Sequence, residues 1–364
     1  MRDDPGIGTV RAQAYTVPTD APEADGTFAW DKTTIVVIHV EAGGETGLGY
    51  SYTDASVARL IVGTLASRVT GLSAFDIPRA NAVLWGAVRN LGRSGLAATA
   101  ISALDTALWD LKARLLDVSL ASLFGQAREH AEIYGSGGFT SYDDRQLREQ
   151  LAGWVERDGC RAVKMKIGSQ PEHDPARMAA AKEAIGAAGL FIDANGAFTP
   201  KRAIEAAQVA ERFGVTWFEE PVTSDDPTGM AAVRAAAPAG MEIAAGEYAY
   251  TLDDLHGLLT AGAVDVAQAD VTRCGGYSGF LKIAALCEAT HRDLSGHCAP
   301  ALHLPVALAA PRFRHLEWFH DHVRIEQMLF DGAPVPRDGA ITPDLTRPGH
   351  GLILKTQDAD AYAV

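Results

Sequence analysis

Lys164 and Lys166 stand two apart in AVKMKIG (162–168), and Asp193 and Asn195 stand two apart in LFIDANG (190–196). In an extended strand, residues i and i+2 share a face, so each pair points the same way while Met165 points the other. Downstream, VTWFEEP supplies Glu219 and Glu220, EIAAGE supplies Glu247, VDVAQAD supplies Asp270, DLSGHC supplies His297 and HLEWF supplies Glu317. Asp193, Glu219 and Glu247 end consecutive strand-like runs, and three carboxylates cannot share one site at neutral pH without a cation. Oxygen donors without His or Cys favour Mg²⁺, with Mn²⁺ the alternative, and leave about three octahedral positions for water and substrate.

The same ends of the chain supply bases. Lys166 faces across to His297, and Asp270 on the neighbouring strand fixes the imidazole tautomer and supports its protonated form. Lys164 places a second cation beside Lys166, which is expected to lower the Lys166 pKa and keep it neutral when a proton must be taken. A metal, two bases and extra cations together suit removal of the proton α to a carboxylate, where two negative oxygens develop in the transition state. Glu317 fits this scheme as a protonated acid donating a hydrogen bond to the developing enediolate.

These groups need a frame that brings strand ends together. From Ala131 onward, eight β-type runs alternate with seven amphipathic segments such as DRQLREQLAGWVERDG and TPKRAIEAAQVAERFG, the pattern of a parallel sheet covered by helices. Eight strands and seven crossovers predict a TIM-type barrel, whose active sites lie at the C-terminal strand ends. Residues 1–130 read instead as an α+β domain, with strands at TVRAQAYTV and TTIVVIHVEA and helices around DASVARLIVGTLASRV and AISALDTALWDLKARLL. Residues 131–320 form the barrel. The tail, 321–364, is rich in Gly, Pro and Asp, and is expected to be mostly loop that returns to the first domain.

Composition narrows the partners. With 32 Lys and Arg against 46 Asp and Glu, the net charge of −14 argues against nucleic acid, which needs a basic footprint. The longest apolar runs, TTIVVIHV and PVALAA, fall short of the roughly 18 residues of a membrane span. MRDDPGIGTV lacks the apolar core of a signal peptide, so a cytoplasmic protein is expected. Cys160, Cys274, Cys287 and Cys298 show no CxxC spacing and read as reduced thiols.

VKMKIG, DANG, WFEEP, AGE, QADVTRCGG and GHCAPALH, in this order and spacing, resemble the mandelate racemase/muconate lactonizing enzyme group of the enolase superfamily. AISALDTALWDLKARLLDVSLASLFG resembles the helix that precedes the barrel in that group, although VSLASLFGQ replaces a turn that more often holds Pro and two Gly. The resemblance covers nearly the whole chain. It implies α/β architecture: a modified (β/α)₇β TIM barrel with an N-terminal α+β capping domain completed by the C-terminal tail. It implies Asp193, Glu219 (rather than Glu220) and Glu247 as Mg²⁺ ligands, Lys166 opposite the His297–Asp270 dyad as bases, and Glu317 as the acid of the last strand. Lys164 and Asn195 match positions that contact the substrate carboxylate or the enediolate. Two mobile capping loops that set specificity are expected near Val17 to Trp30 and Gly47 to Asp54, and neither contains Arg or His. A homo-oligomer, dimer or octamer, is implied as well. Enzymes of this superfamily use Lys or His bases with Mg²⁺ on an enediolate, so chemistry and resemblance are one line of argument here.

The small-molecule partner is then a carboxylate. The His–Asp dyad separates the chain from muconate cycloisomerases and dipeptide epimerases, which carry a second lysine on strand six. Two outcomes stay open: dehydration of an acid sugar, aldonate or aldarate, to a 2-keto-3-deoxy acid, and racemisation or epimerisation of an α-hydroxy acid. The first is favoured because the resembling group holds many such dehydratases and GHCAPALH is compatible with them. A catalytically silent barrel acting as a binding protein is the remote alternative, and a phosphate-dependent barrel lacks its Gly-rich loop in CAPALHLP and WFHDHVRIE.

Overall fold

The computed structural model describes residues 4–364. Three antiparallel strands open the chain: β1 (Val10–Ala24), β2 (Ala29–Ala42) and β3 (Glu45–Tyr52), in the order β1-β2-β3. Their helical partners are a segment from Ser56 to Val69 with a π-helical middle turn, Ile77–Ala87, and the long helix Leu96–Leu116. Val57, Ile61, Leu65 and Val69 are all buried, a four-residue spacing that lays one apolar face on the sheet.

Both segments expected to be loops are mostly strand. Gly47–Tyr52 belongs to β3, paired to β2 with Val40 opposite Gly47 and Ile35 opposite Tyr52. Its glycines serve close packing. A Cβ on Gly47 would lie 2.2 Å from the Ala107 carbonyl, and one on Gly49 would lie 2.3 Å from that of Ala103. Strand and Ala-rich helix therefore meet backbone to backbone. Val17–Trp30 is mostly the two arms of the β1–β2 hairpin, with an irregularity between Pro18 and Glu23 and a short turn at 25–28.

The eight barrel strands stand where the sequence placed them: β4 (Ala131–Gly137), β5 (Ala162–Lys166), β6 (Gly189–Asp193), β7 (Val215–Glu219), β8 (Glu242–Ala245), β9 (Val266–Ala269), β10 (Asp293–Gly296) and β11 (Phe313–Phe319). All are parallel, and β11 closes on β4 with Leu316 opposite Ile133. Seven helices cross over between them, and Ala340–Ile341 adds one antiparallel strand against β4. This is the predicted modified barrel with an N-terminal antiparallel-sheet domain. Alternation sorts each strand: Val163, Met165, Ile192 and Phe218 join the large core beneath the helices. The opposite faces turn into the barrel, where Tyr134, Phe191, Trp217 and His315 pack against one another with centroids 4.8–6.3 Å apart and close its floor.

The tail is more ordered than its composition suggested, because His320–Leu329 is a helix whose Ile325, Glu326 and Leu329 are buried. Beyond it the chain does return to the cap. The His350 N–H donates to Asp110 Oδ1 at 2.9 Å, His350 Nε2 donates to the Leu48 carbonyl at 2.7 Å, and the Val364 N–H donates to the Ala14 carbonyl at 3.1 Å. Among the described residues no helix is long and apolar enough to cross a membrane. All four cysteines are buried and unpaired.

The β3–helix contact yields the first prediction. Gly47→Ala is expected to destabilise the protein by about 1–3 kcal/mol through overpacking, read by urea denaturation. An unchanged midpoint would mean that the strand does not sit this close to the helix.

Candidate active site

Register sets the site. Lys166 lies opposite Asp193 and Asp193 opposite Glu219 across β5, β6 and β7, so one pleat above the aromatic floor the inward positions turn ionisable. Glu247 follows the end of β8, Asp270 the end of β9 and His297 the end of β10, while Glu317 sits within β11. All are buried, as are Lys164 and Glu220.

Asp193, Glu219 and Glu247 bring carboxylate oxygens within 4.8 Å of one another. Glu247 Oε2 is buried without a hydrogen-bond partner. Six buried carboxylates, these three with Glu220, Asp270 and Glu317, face two lysines, Arg273 and one histidine. That excess of negative charge and an all-oxygen donor set fit a hard divalent cation. Glu220 does not join the trio. Its backbone takes a φ of 38°, and its N–H donates to the Ala244 carbonyl at 2.9 Å.

Burial, helped by Asp193 and Glu317 and opposed by Lys164, pushes the Glu219 carboxyl up to about 8. Lys164 lies 2.5 Å from Glu219, 2.7 Å from Glu317 and 3.3 Å from Asp193. Lys166 donates to Asp193 Oδ2 at 2.6 Å. Here one expectation is overturned. Burial pulls the Lys166 ammonium down and Lys164 adds to that pull, yet Asp193, Glu317 and Glu247 together outweigh both and the pKa is raised.

On the far side of the trio, His297 Nδ1 and Asp270 Oδ2 are 2.8 Å apart, and His297 Nε2 is 3.3 Å from Glu247 Oε2. Thr272 donates to Asp270 Oδ1 through both its N–H and its hydroxyl, each at 2.7 Å. Burial lowers the imidazole pKa, but Glu247, Glu317 and Asp270 together raise it above the ordinary value. Lys166 and His297 thus flank the trio at its Asp193 and Glu247 ends.

Glu317 departs from expectation. Burial raises it, yet Lys164, His297 and Lys166 hold its carboxyl well below the usual range, so it is ionised and accepts. Ser136 Oγ donates to Oε1 at 2.6 Å and the Cys298 N–H donates to Oε2 at 3.1 Å. Asn195, at φ 44°, donates its N–H to Asp193 Oδ1 at 2.8 Å, while its own Oδ1 is buried without a partner.

Several contributors escaped the sequence reading. Ser136 faces inward opposite Lys164, and its β4 position was the available signal. Trp217 Nε1 donates to Glu219 Oε2 at 2.9 Å. Arg273, three residues past Asp270, lies 3.5 Å from that carboxylate and 3.6 Å from Glu247.

Residues 9–125 match the mandelate racemase/muconate lactonizing enzyme N-terminal domain, and residues 146–359 match the enolase C-terminal domain-like family. The chain belongs to this family. A solved mandelate racemase/muconate lactonizing enzyme-like protein from Rubrobacter xylanophilus is 48% identical, with a TM-score of 0.96 over 99% of this chain and 100% of that one. The 3,6-anhydro-α-L-galactonate cycloisomerase of Streptomyces coelicolor is 34% identical over 98% of this chain and 99% of that enzyme. L-talarate/galactarate dehydratase from Salmonella typhimurium LT2, solved with Mg and L-lyxarohydroxamate, is 29% identical, with a TM-score of 0.90 over 99% of this chain and 93% of that one.

Glu219→Ala is expected to weaken Mg²⁺ binding at least about tenfold, since it removes one of three charged oxygen donors; titration calorimetry reads the change. Unaltered affinity would move the ligand to another carboxylate, with Glu220 first to be tested.

Proposed function

We propose that the chain is a Mg²⁺-dependent enzyme that removes the proton α to the carboxylate of an acid sugar and eliminates the β-oxygen, giving a 2-keto-3-deoxy acid. One observation carries the reading: Lys166 and the His297–Asp270 dyad stand on opposite sides of a carboxylate trio suited to a divalent ion. Asp193, Glu219 and Glu247 hold the Mg²⁺, which supplies charge neutralisation at the substrate carboxylate when bound.

One of the two bases takes the α proton. The electron pair left on that carbon forms the carbon–carbon double bond as the β carbon–oxygen bond breaks, and the leaving oxygen takes a proton from the group on the other side. His297 suits the acid role, since its neighbours favour the imidazolium form. The enol then tautomerises to the ketone. Lys166, an ammonium once it has taken the α proton, then places positive charge beside the oxygens where negative charge develops, with Lys164 behind it.

A second reading shares every step but the last product. If the leaving oxygen belongs to a ring, elimination opens the ring and no water departs, so the net reaction is an isomerisation. The end-to-end likeness to a cycloisomerase favours it. Cytoplasmic placement and a homo-oligomer, dimer or octamer, complete the proposal and rest on the sequence and the resemblance.

Proton NMR in D₂O with Mg²⁺, across aldonates, aldarates, their anhydro and lactone forms and simple α-hydroxy acids, tests the reading. Growth of 2-keto-3-deoxy signals supports elimination, whereas deuterium at the α carbon with the skeleton retained would make the enzyme a racemase or epimerase. Lys166→Ala and His297→Asn are each expected to lower turnover by about 10²–10⁴-fold, with α-proton exchange surviving in one of them. Full activity in both variants would remove the two-base assignment.

A further inference from the structure

Any acid held at the trio must send the rest of its chain somewhere, and a cleft lies at the loops that follow β6, β7 and β8. This cleft holds about 720 Å³ and is lined by Asn195, Glu220 and Gly246, each within two residues of Asp193, Glu219 or Glu247. Thr27 at the hairpin tip and Ser94 before the long cap helix enclose it from above. Gly26 fixes the tip, since a Cβ there would lie 2.4 Å from the Ala194 carbonyl and 2.6 Å from that of Ile167.

Two features define what this space accepts. First, Asn195 Oδ1 and Glu220 Oε1 are buried acceptors without partners, which is costly until a donor arrives. Second, the lining carries four carboxylates, Glu220, Asp225, Asp253 and Asp254, and among the described residues no Lys, Arg or His lines it. Arg273 stands near but is engaged: its guanidinium lies 5.2 Å from the centre of the Tyr248 ring and donates to the Glu247 carbonyl at 3.1 Å. Arg93, next to Ser94, is exposed and lies outside the lining.

We infer that this cleft is a subsite for the uncharged, hydroxyl-bearing end of a sugar monoacid or its ring form, and that it rejects sugar diacids. Hydroxyls bring the donors that Asn195 and Glu220 lack, together with an acceptor for Ser94. A second carboxylate brings acceptors only, and a negative charge into an acidic lining with no cation to meet it. The inference rests on the proposed function, because it takes the first carboxylate to sit at the trio.

Titration calorimetry on the Mg²⁺-loaded protein tests it with matched pairs, gluconate against glucarate and galactonate against galactarate. The monoacid of whichever pair binds is expected to hold at least about tenfold tighter than its diacid, from like-charge juxtaposition alone. The double variant Asp225→Asn with Asp253→Asn is expected to narrow that ratio several-fold, and a ratio it does not move would overturn the charge argument. Equal or tighter binding of the diacid overturns the inference, and loss of that binding in Arg93→Ala would show the cation that reaches in. The binding ratio is read whether or not either acid turns over. Monoacid selectivity without any α-proton exchange therefore sinks the elimination reading alone, whereas diacid turnover with equal affinity sinks this inference alone. Saturable binding by neither member of any pair overturns both.

Discussion

Lys164 holds its ammonium within 3.3 Å of three carboxylates, with no access to water, and the barrel mouth is arranged around that cluster. Taking ions out of water costs several kcal/mol each, so a buried cluster of this kind is a poor source of net stability. Its value lies in preorganisation. The carboxylates are crowded before any ligand arrives, and burial, with that crowding added, raises Glu219 to about 8. A divalent ion placed among them relieves repulsion that folding has already imposed, so little reorganisation is left for binding.

Such crowding survives only if the frame cannot relax. Below, the packed aromatic floor denies the lysines water from beneath. Above, the cap is tied down through buried hydrogen bonds from β3. Tyr50 donates to Glu326 at 2.6 Å, Tyr52 to the His322 carbonyl at 3.2 Å, and Ser51 Oγ lies 2.8 Å from the carbonyls of both Thr99 and Thr272. Thr272 in turn donates to Asp270, the partner of His297. Cap position and imidazole orientation are therefore linked through one short chain of contacts, and the glycines of β3 that let strand and helix approach are part of that link.

The barrel was legible because eight short β-type runs alternate with seven amphipathic segments, a rhythm that a single chain displays openly. The trio was legible for the same reason, since three acids at successive strand ends share one fate in a closed barrel. The loop expected near Gly47 to Asp54 came from the resemblance, and the glycines of this strand could not correct it, because glycine suits both turns and close backbone packing and only the facing helix tells which. The helix at 320–329 was hidden by the Gly- and Pro-rich residues that follow it. Ionisation states were beyond reach. The i, i+2 spacing put Lys164 beside Lys166, but the balance between burial, a neighbouring ammonium and Asp193 depends on distances between strands, and the same holds for Glu317.

The two lysines consequently have different duties. An ammonium has three donors. Lys164 has three carboxylates around it, so its protons are matched and none is left for a substrate unless a carboxylate gives way. Lys166 donates to Asp193 alone among the described side chains, which leaves two donors directed elsewhere. An ionised Glu317 with Ser136 and the Cys298 N–H already donating to it cannot donate in return. On the proposed function, direct stabilisation of a developing enediolate by this chain's own groups would fall to Lys166 and to protonated His297, with Lys164 and Glu317 one layer below, fixing the charges against which those two groups act.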